Sequence, residues 1–178
     1  PDVLSDADKV MIGSAIPDFT YGITINLGYK GFDLVAFGSG ASGNDIAYAV
    51  PRSTRTQANT LQYIFDNRWQ KPGDNTLFPS AKLGSWSYAN FLQSSAYVFD
   101  GSYFKVKQLQ LGYTLPKRWL EKAKISNLRL YVSLDDWFVF TKYPGFDPEV
   151  SVSSSGLGID YGQYPTIKKT VFGLNISF

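Results

Sequence analysis

Residues 164–178 read YPTIKKTVFGLNISF. Within them Phe172, Leu174, Ile176 and Phe178 alternate with Gly173, Asn175 and Ser177. Successive side chains of a strand point to opposite faces, so every large apolar group falls on one side and small or polar groups on the other. Two folds use such a strand: a soluble sheet that buries its apolar side against a core, and a membrane barrel that turns it to lipid. The choice between them decides the function.

The same alternation recurs upstream. Phe19, Tyr21, Ile23, Ile25, Leu27 and Tyr29 alternate with Thr20, Gly22, Thr24, Asn26 and Gly28. Ten to twelve residues at ~3.3 Å each and a ~45° tilt cover about 25 Å, the height of a barrel's apolar band. Lys30 and Gly31 make a tight turn, and Phe32, Leu34 and Ala36 resume the pattern against Asp33, Val35 and Phe37. In Ser102–Leu115, Phe104 and Val106 set one phase and Leu109, Leu111 and Tyr113 the other, a flip near Gln108 that a β-bulge produces. Leu128, Leu130, Val132 and Leu134 alternate with Arg129, Tyr131, Ser133 and Asp135, and this strand ends in Trp137, Phe138 and Phe140, an aromatic crowding that suits a membrane interface.

The pattern predicts five long strands, 18–29, 32–40, 102–115, 127–141 and 164–178, all within one segment, 1–178. A long loop over about 41–98 and a medium loop over 142–163 join them on one side and short turns on the other. That asymmetry belongs to outer-membrane barrels, whose long loops are extracellular and whose turns are periplasmic. Within the long loop, Ala58, Leu61, Phe65 and Trp69 recur at helical spacing behind Ser53 or Thr54 as a cap, and KRWLEKAKIS (117–126) reads as a helical turn. Five strands cannot close a barrel, and lipid does not tolerate open sheet edges, so a barrel reading requires further strands.

Composition narrows the classes. Aromatics are 16% of the residues and Gly numbers 16, which is high for a helical enzyme and ordinary for a protein built from long strands. His and Cys are absent and the net charge is +2, which removes imidazole and thiol chemistry and gives nucleic-acid binding little support. No run of ~18 apolar residues is present to form a membrane helix, while barrel strands escape such a search. The chain opens on Pro1 without a basic and apolar leader, which leads to the expectation of a mature protein, an isolated domain or a fragment.

Four stretches carry a family resemblance: IGSAIPDFTYG with YKGFDL, DGSYFKVKQLQLGYTLP, ISNLRLYVSLDDWFVFTKYPGFDPEV, and GIDYGQYPTIKKTVFGLNISF. Together they resemble the C-terminal part of the SusC/RagA family of TonB-dependent outer-membrane transporters of Bacteroidetes. A local departure is Leu134-Asp135-Asp136-Trp137, where family members commonly carry a Gly-Gln-Asn-Leu type of sequence. The resemblance implies an all-β fold, the C-terminal strands of a large antiparallel transmembrane β-barrel of roughly 22 strands, incomplete in this chain. It also implies nutrient uptake: import of glycans or peptides through the outer membrane of a Gram-negative bacterium, with a SusD-type surface lipoprotein, a plug, and a TonB complex that supplies energy. No cofactor is implied, and no enzyme activity. The other readings are a soluble carbohydrate-binding β-sandwich module and a surface adhesin or structural barrel without transport.

On the barrel reading, Phe19, Ile23, Leu27, Leu130, Val132, Leu174, Ile176 and Phe178 face lipid. Asp33, Arg129, Asp135 and Lys169 face an aqueous lumen. In the long loop, Trp69, Trp86, Tyr88 and Tyr63, with Tyr48 and Phe91, are candidates for substrate or partner contact, since flat aromatic faces suit sugar rings; the alternative is that they pack the loop against itself. Asp147 and Glu149 are a calcium possibility weighed against ordinary turn residues. Asp135 and Asp136 are adjacent in a strand and point to opposite faces, so they make no acid/base pair. Lys117, Arg118, Lys122 and Lys124 form a basic turn, read as a solvated face with partner binding as the alternative. No catalytic constellation and no metal site emerges.

Overall fold

The computed structural model describes residues 9–50, 61–78, 80, 94–150 and 156–178. The chain divides into two compact units: one built from residues 19–42, 102–141 and 165–178, the other from 1–18, 43–101 and 142–164.

The first unit is a five-stranded sheet of order β1-β2-β5-β6-β8, antiparallel throughout. Its strands are β1 (Phe19–Tyr29), β2 (Phe32–Ser42), β5 (Tyr103–Thr114), β6 (Asn127–Thr141) and β8 (Lys169–Ser177). Lys30 (φ 48°) and Gly31 (φ 90°) both take positive φ, which is what a two-residue hairpin needs if its turn is to follow the twist of the strands. Register slips at Lys107: Phe37 pairs with Gln108 and Gly38 with Val106. The extra residue keeps Phe104 and Val106 on the same face as Leu109, Leu111 and Tyr113. Pro116 leads into helix α2 (Lys117–Leu120) and a 3-10 turn (Glu121–Ala123), and Lys124 closes them in the left-handed region at φ 55°.

The last strand begins at Lys169, five residues later than its sequence pattern suggests. Asp136 on β6 takes φ 59°, which breaks the β6–β8 ladder just beyond the Asp135–Lys169 pair. Pro165 also lacks the N–H a ladder requires.

The second unit carries strands β3 (Asp45–Tyr48), β4 (Val98–Asp100) and β7 (Ile159–Asp160) in the order β4-β3-β7. β3 runs antiparallel to β4 and parallel to β7. Their core is Ile46, Tyr48, Ile64, Phe78, Ala96, Tyr97 and Tyr143. Helix α1 (Gln62–Asp66) is shorter than the spacing of Ala58 to Trp69 predicts, starts behind Leu61, and has no side-chain cap. Asn67 ends it by returning its backbone N–H (3.2 Å) and Nδ2 (2.8 Å) to the Tyr63 carbonyl. The Trp69 N–H then goes to the Phe78 carbonyl at 2.8 Å. Ala58 and the expected caps Ser53 and Thr54 lie outside the described residues.

Candidate functional site

Register carries the apolar residues of all five strands onto one continuous face. Ile25 pairs with Ala36, Ala36 with Leu109, Leu109 with Leu134, and Leu134 with Thr170. One step along, Leu27, Leu34, Leu111, Val132 and Phe172 form the next row. This face is open: Leu27 is 60% exposed, Leu174 54% and Phe172 81%. A sheet of five strands at ~4.8 Å spacing and ~25 Å height presents about 600 Å² in projection, the upper end of the largest apolar patch a soluble monomer ordinarily leaves uncovered. Burying each Leu, Ile or Phe is worth ~1.5–3 kcal/mol, so the face as a whole represents tens of kcal/mol withheld from folding in water.

Aromatic rings border the face at both ends. At the loop end, Tyr21 stacks on Phe104 (6.1 Å, 2° between planes), and Phe104 on Phe140 (6.4 Å). Gly38 and Gly40 make room for that row: a Cβ at Gly38 would meet the Phe104 ring at 2.5 Å, and one at Gly40 would meet Tyr21 at 2.7 Å. At the turn end, Phe32 and Tyr113 lie 4.5 Å apart, beside Tyr29, the register partner of Phe32. Ten strand steps separate Phe19 from Tyr29, ~34 Å along the strand and about 25 Å at barrel tilt.

The opposite face is polar and cross-linked. Arg129 on β6 reaches across β5 to Asp33 on β2, Nε to Oδ1 at 2.9 Å and a second nitrogen to Oδ2 at 2.5 Å. Gly112 makes this possible, since a Cβ there would sit 2.5 Å from both partners. The Arg129 guanidinium also lies 4.9 Å from the centre of the Tyr131 ring, which in turn covers Gly173. Ser133 Oγ donates to Asp135 Oδ1 at 2.5 Å, while Asp136 faces Lys107 at 3.8 Å. The two neighbouring carboxylates thus engage different partners. Lys105 is fully buried and donates to Thr166 Oγ1 at 3.2 Å.

In the loop unit, Tyr143 Oη donates to Asp160 Oδ2 at 2.6 Å, and the Gly162 N–H donates to Oδ1 at 2.7 Å. Burial, then the Asp160 hydrogen bond, raise the Tyr143 phenol well above the ordinary tyrosine value. The Glu149 N–H donates to Asp147 Oδ1 at 3.0 Å, the geometry of an Asx-turn.

Of the loop aromatics named from sequence, Tyr63 packs edge-on against Phe78 (5.9 Å) and Phe99 (6.1 Å), and Tyr48 is buried beside Phe99. Trp69 stays 38% exposed. Trp86, Tyr88 and Phe91 lie outside the described residues. Phe19, Ile23, Leu27, Leu130, Val132, Leu174 and Ile176 share the open face, with Val132 half-buried, and Phe178 follows β8 at 90% exposure. Asp33 and Arg129 are legible as polar-face residues; their pairing across an intervening glycine is not, because sequence carries no inter-strand register. Buried Lys105 has no sequence signal at all.

An antiparallel sheet with one open, aromatic-bordered apolar face and one cross-linked polar face defines part of the wall of a transmembrane β-barrel. A sandwich would need a second sheet against that apolar face, whose side chains are exposed in this chain. No protein-family model matches the chain. It is 36% identical over 183 residues to the TonB-dependent receptor P3 of Formosa agariphila, covering 98% of this chain and 18% of that one. It is 26% identical to the TonB-dependent receptor SusC of Bacteroides thetaiotaomicron, covering 98% of this chain and 16% of SusC. The RagAB peptide importer in its "open-open" state superposes with a TM-score of 0.74 at 22% identity, over 99% of this chain and 19% of that one. The chain belongs to the SusC/RagA family of TonB-dependent receptors, and it spans under a fifth of the length of the curated relatives it matches.

Proposed function

We propose that this chain is the C-terminal wall of an outer-membrane importer that brings large nutrients, glycans or peptides, through a plugged barrel. The observation that carries the proposal is the open apolar face that crosses all five strands between two rows of aromatic rings. In this reading Phe19, Ile23, Leu27, Leu130, Val132, Leu174, Ile176 and Phe178 meet lipid, and the Asp33–Arg129 face lines the interior. The loops 41–98 and 142–163 are extracellular and the short turns periplasmic. The outer edges of β1 and β8, which pair with no other strand among the described residues, are completed by further strands, because an open ladder in hydrocarbon costs several kcal/mol for each bare N–H or C=O. A SusD-type lipoprotein over the loop end and a TonB complex acting on the plug complete the assembly. Likeness to curated receptors and to a peptide importer supports this reading.

Spin labels test it directly. At Ile23, Leu130 and Leu174 of the whole receptor in vesicles, labels should relax with oxygen and stay shielded from a water-soluble nickel complex. Labels at Thr24, Tyr131 and Asn175 should show the opposite order. A uniform response on both faces would sink the proposal.

A further inference from the structure

The turn end of the sheet carries a chemistry that a barrel wall does not require. Hydrogen bonds join its parts into one rim: the Thr114 N–H donates to the Gly31 carbonyl at 2.8 Å, Leu115 to Leu128 at 2.9 Å, and Ser126 to Ser177 at 2.8 Å. On this rim Lys30, Lys117, Arg118, Lys122 and Lys124 are exposed, with Glu121 as the single acidic residue among them. Trp119 is also exposed, at 59%, while its neighbour Leu120 is buried. Helix α2 therefore anchors through Leu120 and presents an indole between cations, with Arg118 6.0 Å from the ring centre. Below them lies the aromatic row of Tyr29, Phe32 and Tyr113.

We infer that this rim binds anionic phospholipid headgroups of the leaflet it faces. The inference rests on the barrel reading, which puts the lower aromatic row at the hydrocarbon boundary and the α2 turn at headgroup depth. Indole rings favour that depth because one edge is apolar and the other donates a hydrogen bond. Ammonium and guanidinium groups held there pair with phosphate oxygens, Arg118 through two nitrogens at once. Continuity with the apolar band and charge complementarity select lipid as the occupant over a soluble acidic protein, which would need no exposed Trp at the membrane edge.

The test uses the whole receptor in vesicles of phosphatidylcholine, with or without about one third phosphatidylglycerol. A fluorophore at Ala123→Cys reports the rim, and one at Ile25→Cys reports the hydrocarbon band. A nitroxide on the lipid headgroup should quench the Ala123 label at least about twofold more in the anionic vesicles. The gain should disappear in 0.5 M salt and in a K117Q/R118Q/K122Q/K124Q variant, and shrink in Trp119→Ser. Equal quenching in both vesicle types, with the Ile25 label still quenched by an acyl-chain nitroxide, would overturn the inference and leave the barrel intact. Failure of the acyl-chain nitroxide to reach Ile25 would overturn both. Shielding of the Ala123 label that appears only with added soluble protein would assign the rim to a protein partner and overturn the lipid assignment.

Discussion

Arg129, Gly112 and Asp33 act as one unit on three neighbouring strands, since the ion pair exists only because the middle residue has no side chain. Gly112→Ala should therefore remove the same interaction as Arg129→Ala. A bidentate pair that is partly open to water is worth about 1 kcal/mol, so each change should lower the stability of the folded receptor by about that amount. The double variant should cost little more than either alone, and thermal unfolding in detergent would read the non-additivity. Tyr143 offers a second test. Its phenol is held protonated beyond the ordinary value of 10.0, so the folded state binds more protons than the unfolded one at high pH. The stabilisation is complete below pH ~10 and lost as pH rises above it. Tyr143→Phe should cost about 1 kcal/mol at neutral pH through the lost Asp160 bond. Proteolysis of the 142–164 loop should accelerate as the pH rises above about 10 in the parent and much less in the variant.

Among the elements, β5 shows how one residue holds a face together. Lys107 is the extra residue at the register slip, and without it Phe104 and Val106 would turn to the polar side while Leu109 and Leu111 stayed apolar. Deleting Lys107 should abolish assembly of a heat-modifiable folded receptor. Lys107→Thr should change stability by less than about 1 kcal/mol, because the backbone insertion rather than the ammonium sets the register. The phase change between Val106 and Leu109 is readable in the sequence, and so is the bulge. The start of β8 is not: the apolar alternation of 172–178 does not extend through 164–168, so local pattern sets no boundary there, and it is Asp136, on another strand, that ends the ladder at Lys169. Nor were β3, β4 and β7 legible, being two to four residues long and stabilised by a core gathered from Ile46, Ile64, Phe78 and Tyr143, far apart in the chain.

For the molecule as a whole, the open apolar face makes a direct expectation about solubility. Residues 1–178 produced alone should need detergent to stay dispersed, and should precipitate on its removal, as both the uncovered face and the free edges of β1 and β8 would find partners. Sedimentation of a clear monomer without detergent would contradict it. The sequence by itself determined the strands and which of their side chains share a face, because alternation is a local property with a period of two. It left open whether that face meets another sheet or lipid, since both environments reward the same residues. What only the tertiary structure decided is how the strands pair, which gathers their apolar side chains on one face and brings Asp33 to Arg129 across a glycine. Those outcomes depend on register between segments up to 96 residues apart, which no local pattern encodes.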